Sequence, residues 1–285
     1  MAGTAYGVLV GYDGSGGSDR ALSWAVREAK ARGTVLTVCL AWNEWYDAGR
    51  ASAGPPPGDG VADHARRAAE QVAAEGLRAA RNLLGGQNVR LLVVYGSPAA
   101  VLCDHSAAAD MVVVGSRGRG GISGLVLGSV GGQVAAHAPG RAIVVRGHWR
   151  RNGYVPGPVV LGADGSACSR AAAAFAFEEA ALRHAPLLAV CALADTPGSL
   201  GGAARLEEGF EQLVSPLEKE HPEVTVLRQV SPGGPRDALL AACHRAQMLV
   251  VGARGLGGVR GMMLGSVSHA LLSHAPCPVA VVHLP

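Results

Sequence analysis

Three glycines and a serine recur at the same spacing in two parts of this chain. The first copy reads Gly115-x2-Gly118-x9-Gly128-Ser129, and the second reads Gly252-x2-Gly255-x9-Gly265-Ser266. In both, an apolar run of strand type ends at the first glycine, and a helical pattern begins at the serine. Glycine lets a ligand approach the backbone, and the free N–H groups of a helix N-terminus attract an anion. Glycine-rich loops can be purely structural, but the repetition of the whole pattern favours a phosphate-binding loop in each copy.

Polar side chains near these loops are candidate ligand contacts. Asp13 and Asp164 each stand in a D-G-S sequence after the first apolar strand of their copy, and an Asx turn is the structural alternative. The hydroxyls of Ser129 and Ser266 are placed either to donate to a phosphate oxygen or to cap the helix. Three arginines inside the loops either neutralise phosphate charge or stand in solvent: Arg117, Arg119 and Arg254.

The repetition extends over almost the whole chain of 285 residues. The sequence VGYDGS at 10–15 returns as LGADGS at 161–166. Asp13 lies 151 positions before its counterpart, whereas Gly115 lies only 137 positions before its own, so the second copy is shorter by 14 residues. A Pro/Gly-rich stretch in the first copy, Gly49–Gly60, is typical of a surface loop, and we predict that it holds the extra residues.

Strand and helix patterns alternate within each copy. In the first copy the predicted strands are Tyr6–Gly11, Val35–Trp42, Val89–Tyr95, Met111–Gly115 and Ala142–Arg146. The predicted helices are Ser18–Ala31, His64–Leu84, Ala99–Ala108 and Ser129–Ala136. This alternation predicts an α/β fold of two tandem doubly wound five-stranded parallel sheets, in which ligands bind beyond the carboxyl ends of the strands. The predicted domains span 1–147 and 159–285, and a polar, Pro/Gly-rich linker spans 148–158.

Composition narrows the class of protein. Apolar residues make up 49% of the chain and charged residues 16%, which suits globular domains rather than a disordered chain or a coiled coil. The net charge of +3 and the lack of a basic stripe argue against a nucleic-acid partner. No apolar run has the length of about 18 residues that a membrane span needs, so we expect a soluble, cytoplasmic protein without a membrane partner. The six cysteines lack C-x-x-C spacing, which indicates reduced thiols rather than a zinc site.

The motifs together resemble the ATP-binding members of the universal stress protein family. The resemblance rests on G-x2-G-x9-G-[S/T] after a V-V-V-G strand, on D-G-S after the first strand, and on the ending A-P-C-P-V-A-V-V at 275–282. It covers nearly the whole chain, twice. It implies a Rossmann-like fold that binds ATP across the strand ends, with Mg²⁺ as a candidate accompanying ion. It also implies a stress-response protein that acts through the nucleotide and an unknown protein partner.

The resemblance implies a set of nucleotide contacts in each copy. The aspartate lies near the adenosine, the residue at the end of the second strand touches adenine, and the glycine loop holds the phosphates. In the first copy the set is Gly11, Asp13, Ala41, Gly115, Arg117, Gly118, Gly128, Ser129 and Val130. In the second copy it is Gly162, Asp164, Leu193, Gly252, Arg254, Gly255, Gly265, Ser266, Val267 and Ser268.

Two further expectations follow from the resemblance. The copies are expected to pair within the chain as a pseudo-dimer through their last strands, 142–146 and 279–283, with a homodimer left open. The family pattern also has a second hydroxyl two residues after the Gly-Ser pair, which the second copy keeps as Ser268 and the first replaces with Gly131. A lost hydrogen bond to phosphate predicts that the second copy binds ATP more tightly.

Two alternatives to an ATP-binding regulatory protein stay open. The sequence Ser15-Gly16-Gly17-Ser18-Asp19 resembles the S-G-G-x-D-S loop of ATP pyrophosphatases, although Arg20 replaces the final serine and the second copy lacks the glycines. The other alternative is a scaffold that no longer binds nucleotide. A P-loop is excluded because neither lysine, Lys30 or Lys219, follows the required glycines. The sequence indicates no catalytic constellation, so at most slow ATP hydrolysis is expected.

Overall fold

The computed structural model of the chain describes residues 4–43, 61–85, 88–119, 127–146, 157–193, 200–256 and 263–284, with the backbone alone at 61, 193 and 200–207. The chain divides into two compact units, Met1–Val145 and Arg146–Pro285. Only the last two residues of the predicted linker are among the described residues, so the predicted domain boundaries stay predictions.

The first unit is a five-stranded parallel sheet with four helices. Its strands are β1 (Val8–Gly11), β2 (Leu36–Trp42), β3 (Val89–Tyr95), β4 (Met111–Gly115) and β5 (Arg141–Val145). Its helices are α1 (Gly16–Arg32), α2 (Val61–Leu84), α3 (Pro98–Ser106) and α4 (Ser129–His137). The spatial order is β3-β2-β1-β4-β5, so the order reverses between β1 and β4. That reversal is the switch point at which doubly wound sheets bind ligands.

The second unit repeats this topology. Its strands are β6 (Val159–Gly162), β7 (Leu187–Leu193), β8 (Val226–Pro232), β9 (Met248–Gly252) and β10 (Val279–Val282). Its helices are α5 (Ala167–Leu182), α6 (Leu200–Glu220), α7 (Pro235–Ala242) and α8 (Ser266–His274), with a single 3₁₀ turn at Cys243–Arg245. The order within this unit is β8-β7-β6-β9-β10, again parallel. The predicted fold class is confirmed.

Burial explains why the central strands form. Residues Val8, Leu9 and Val10 of β1 have no exposed surface, and β9 is equally covered at Leu249 and Val250. Continuous apolar runs of this kind belong to parallel strands with helices on both faces.

The start of α1 is fixed by a serine cap. The hydroxyl of Ser15 accepts the N–H of Ser18 at 3.1 Å. The buried strands and this capped helix form the framework of the unit.

A buried ion pair recurs in the first helix of each unit. Glu28 pairs with Arg32 in α1, and Glu179 pairs with Arg183 in α5. The two glutamates are 2% and 0% exposed, so each carboxylate depends on its arginine. Removal of one partner from a buried pair leaves an uncompensated charge and costs about 3–5 kcal/mol. The repetition therefore includes the polar interior of the units as well as the glycine loops.

The size difference between the copies lies between the second and third strands. Between β2 and α2 there are 18 residues, 43–60, whereas six residues, 194–199, separate β7 from α6. The helix α2 has 24 residues and α6 has 21. The predicted surface loop Gly49–Gly60 falls in this interval and lies outside the described residues.

Candidate functional site

A cavity of about 420 Å³ lies at the carboxyl ends of the strands in the first unit. Its wall includes the ends of β1 and β4, where the strand order reverses. All nine residues predicted for the first copy line it: Gly11, Asp13, Ala41, Gly115, Arg117, Gly118, Gly128, Ser129 and Val130. Residues that are far apart in the sequence are thus brought together around one space, with a volume typical of small-molecule sites.

The glycines at the ends of β4 and β9 serve close packing of the protein on itself. A Cβ atom at Gly115 would lie 2.6 Å from the carbonyl carbon of Gly17 in the first turn of α1. A Cβ atom at Gly252 would similarly lie 2.8 Å from the Cβ atom of Cys168. The sequence suggested that a side chain here would block a ligand. The structure gives a different reason, because the first helix of each unit already occupies the space.

The N-terminus of α4 faces the cavity with free N–H groups. Gly128 is the N-cap residue, and its extended backbone (φ −73°, ψ 155°) turns the chain into the helix. The N–H of Gly132 donates to the carbonyl of Gly128 at 3.0 Å, which is the first bond of the helix. The preceding amides, those of Ser129, Val130 and Gly131, therefore have no acceptor within the helix. Ser129 is the first helical residue, so its hydroxyl does not cap the helix.

The carboxylate of Asp13 links two loops at the edge of the cavity. Its Oδ1 atom accepts the N–H of Ser15 at 3.0 Å, which is the Asx turn that the sequence left as an alternative. Its Oδ2 atom accepts the N–H of Arg119 at 2.9 Å. Both carboxylate oxygens thus already accept backbone N–H groups of the protein.

The cavity is also lined by residues that the sequence did not assign: Tyr12, Ser18, Cys39, Pro98, Leu102, Val114 and Gly131. Burial raises the pKa of the Cys39 thiol to about 12, so this residue is a neutral, apolar part of the wall. Cys39 precedes Ala41 by two positions on β2, and alternate residues of a strand share a face. That periodicity was the available signal for it. Leu102 belongs to the helix after β3, for which the motifs held no signal.

The hydroxyl of Tyr12 donates to Asp19 Oδ1 at 3.1 Å. Burial raises the pKa of Tyr12, and the charge of Asp19 adds to the shift. Tyr12 is therefore uncharged and fixed against α1. The equivalent residue in the second copy is Ala163, which lacks both the ring and the hydroxyl.

The second unit repeats the geometry of the loop. Asp164 Oδ1 accepts the N–H of Ser166 at 3.0 Å, and Oδ2 accepts the N–H of Leu256 at 3.0 Å. Gly162 and Gly252 end their strands, and Gly265 is the N-cap residue of α8. The remaining predicted residues of the loop and helix N-terminus follow in the same order: Arg254, Gly255, Ser266 and Val267.

The sequence analysis placed Ala41 and Leu193 at equivalent positions of the two second strands. The structure shows that Leu193 is not the counterpart of Ala41. In the first unit Gly11 pairs with Cys39, and in the second Gly162 pairs with Val190. The residue two positions further along the strand is Ala41 in the first unit and Ala192 in the second. The register therefore assigns Ala192 to this position and shifts the predicted contact by one residue.

Ser268 has a role other than the predicted one. Its hydroxyl donates to the carbonyl of Gly252 at 2.8 Å, and the residue is 5% exposed. A hydroxyl has one proton to donate, and here the end of β9 accepts it. The expectation of tighter ATP binding by the second copy therefore loses the donor on which it rested. In the first unit Gly131 lines the cavity at the equivalent position.

Two features are absent from the part of the chain that the structure describes. No three His, Cys, Asp or Glu side chains in the described ranges are close enough together to hold a metal ion. None of the helices in those ranges is long and apolar enough to cross a membrane.

The fold and loops define a doubly wound α/β protein with a glycine loop before a helix N-terminus in each unit, and comparison with known proteins identifies its family. Residues 7–146 and 157–283 each match the Universal stress protein family. The chain belongs to this family, as its motifs indicated. A universal stress protein of Mycolicibacterium smegmatis is 34% identical over 299 residues, covering 98% of this chain and 97% of the relative.

A solved structure that matches nearly the whole chain agrees with the fold. A universal stress protein of Archaeoglobus fulgidus matches 97% of this chain and 98% of its own, with a TM-score of 0.70 and 20% identity. A universal stress protein solved in complex with cAMP matches 46% of this chain and 98% of its own, at 30% identity and a TM-score of 0.37.

Proposed function

We propose that this protein is a regulatory nucleotide-binding protein that holds ATP in its glycine loops, one molecule in each unit. The observation that carries the proposal is the cavity at the switch point of the first unit, which all nine predicted residues line. A doubly wound sheet binds its ligand at this place. The coincidence of motif, topology and cavity supports a nucleotide rather than an arbitrary small molecule.

The phosphate end of the proposed site has the matching charge. The N-terminus of α4 supplies free amides and the positive end of the helix dipole. Arg117 and Arg119 also line the cavity. Mg²⁺ is proposed only as an ion that the phosphates of ATP bind.

The other end of the cavity suits a flat aromatic base. Cys39, Ala41 and Leu102 are buried residues that present little polar surface. Apolar walls with a few placed polar groups are the usual environment of a nucleoside. Adenine is proposed as the base because the family resemblance implies it.

The enzyme alternative finds less support in the loop geometry. A glycine loop that holds phosphate needs backbone that a ligand can approach. Here Ser15 caps α1, and Gly17 is buried directly beneath the carbonyl of Arg117. That carbonyl leaves no space for a ligand over the second glycine.

The proposal is tested by the nucleotide content of the purified protein. We expect protein that is incubated with ATP, desalted and heat-denatured to release intact ATP, with no accumulation of pyrophosphate beforehand. Stoichiometric pyrophosphate would favour the enzyme, and protein that releases no nucleotide would favour the scaffold.

We also propose, as the family implies, that the protein is cytoplasmic, that it has an unknown protein partner and that its two copies pair.

A further inference from the structure

In both units one carboxylate joins the two sequence motifs of the site. The D-G-S motif supplies Asp13 or Asp164, and the glycine loop supplies the amide that follows its second glycine. The bonds from Oδ2 are 2.9 Å to the N–H of Arg119 and 3.0 Å to the N–H of Leu256. The side chains at those two positions differ completely, so the backbone amide is the feature that the two units share.

The second glycine of each loop packs directly against the same carboxylate. A Cβ atom at Gly118 would lie 2.5 Å from Asp13 Oδ2, and among the described residues outside its chain neighbours the atoms within 4 Å of it belong to Asp13. At Gly255 the described atoms in the same range belong to Asp164. The backbone of Gly118 does not have a positive φ, so the contact with the aspartate is the steric reason for glycine that the described residues show.

We propose that Asp13 and Asp164 are positioning residues that fix the glycine loop against the first turn of the unit, rather than ligands of the adenosine. The inference rests on the proposed function in that the fixed loop is the one that faces phosphate. The physical reason is the strength of these bonds. Hydrogen bonds accepted by an ionised carboxylate are stronger than those between neutral groups, and each aspartate accepts one backbone N–H from its own turn and one from the glycine loop.

The first test needs no nucleotide. We expect Asp13→Ala to raise the hydrogen-exchange rate of the Arg119 amide about tenfold or more, because the amide loses its acceptor. The matched variant Asp164→Ala should leave Arg119 unchanged and affect Leu256 instead. Asp13→Asn, which keeps one acceptor oxygen, should fall between wild type and Asp13→Ala. Unchanged exchange of Arg119 in Asp13→Ala would overturn the proposal.

A double-mutant cycle separates positioning from general damage. Gly118→Ala should lower the thermal midpoint of the wild-type chain, because the new Cβ atom meets the carboxylate. The same substitution in Asp13→Ala should cost much less, because the carboxylate that the new Cβ atom meets has been removed. Additive effects of the two substitutions would contradict the proposed pairing.

Ligand selectivity distinguishes failure of this inference from failure of the proposed function. Asp13→Ala and Asp164→Ala together should weaken ATP binding about tenfold and adenosine binding much less, since the loop faces phosphate. Equal loss for both ligands with unchanged Arg119 exchange would make Asp13 an adenosine ligand and overturn the inference. If wild type binds no nucleotide, the proposed function fails, and the exchange and double-mutant results still decide the role of the aspartate.

Discussion

At the scale of single residues, Gly128 and Gly265 are the positions where a side chain would interfere most directly with a bound anion. Each is an N-cap residue, and each amide donates to the loop at 2.8 Å, to Ser116 O and Ala253 O respectively. A Cβ atom at Gly128 would lie 3.3 Å from Ser116 O, which is tight without being prohibitive. A larger, charged side chain would have to enter the proposed phosphate space.

We therefore predict that Gly128→Glu abolishes ATP binding by the first unit, with at least about a hundredfold loss of affinity. The carboxylate occupies the phosphate space and opposes the helix dipole. Isothermal titration should show one remaining site, and circular dichroism should show an intact fold. Gly128→Ala is the size control and should lose much less. Normal affinity in Gly128→Glu would refute this placement of the phosphates.

Arg119 is a charged residue of the first loop whose counterpart in the second loop is the uncharged Leu256. It is half-buried and lines the cavity of the first unit, whereas its counterpart Leu256 is 68% exposed. We predict that Arg119→Leu lowers the ATP affinity of the first unit about three- to tenfold, because a partly solvated cation near phosphate contributes modestly. Binding of adenosine should change little.

The reciprocal variant Leu256→Arg provides the matched experiment in the second unit. It should raise ATP affinity there by a similar factor, measured in the Gly128→Glu background so that one site is observed. An unchanged ratio of ATP to adenosine affinity in both variants would show that the arginine does not contribute to phosphate binding.

At the scale of secondary-structure elements, the start of α8 is fixed to the end of β9 by Ser268. The hydroxyl donates to Gly252 O, and in the first unit Gly131 makes no such side-chain bond. We predict that Ser268→Ala lowers the free energy of unfolding by about 1 kcal/mol and leaves ATP affinity unchanged. Chemical denaturation and titration calorimetry measure the two quantities. A tenfold loss of affinity with unchanged stability would restore the hydroxyl as a phosphate donor.

The elements themselves were largely predictable from the sequence. The strands Val89–Tyr95 and Met111–Gly115 begin and end as predicted, because long apolar runs bounded by polar or glycine residues have few alternatives. The first strand begins at Val8 rather than Tyr6, since Tyr6 and Gly7 precede the paired residues. Ends of elements depend on hydrogen bonds that no local pattern encodes.

The details of the site were less predictable than its location. Spacing indicated the glycine loops, but the direction of the Ser268 hydroxyl depends on the neighbouring strand end. The sequence prediction named Leu193 where the strand register places Ala192. A shift of one residue along a strand moves the side chain to the opposite face of the sheet. The cavity residue Leu102 comes from a helix without a motif. Contacts between distant segments decided each of these points.

At the scale of the whole molecule, the chain carries the same site twice with different surroundings. The first unit has Tyr12, Cys39 and Gly131 where the second has Ala163, Val190 and Ser268. The glycines of the loop and the hydrogen bond from its backbone to the aspartate are the same in both. Since the shared part is the one proposed to bind phosphate, both units are expected to bind ATP, with affinities that differ through the unshared residues.

Equilibrium dialysis with radiolabelled ATP and Mg²⁺ measures the central claim most directly. The account predicts two ATP molecules per wild-type chain, one per chain for Gly128→Glu or Gly265→Glu, and none for the double variant. Wild-type chain that retains no ATP at about 1 mM ligand, while remaining folded, would contradict the claim that these loops bind a nucleotide.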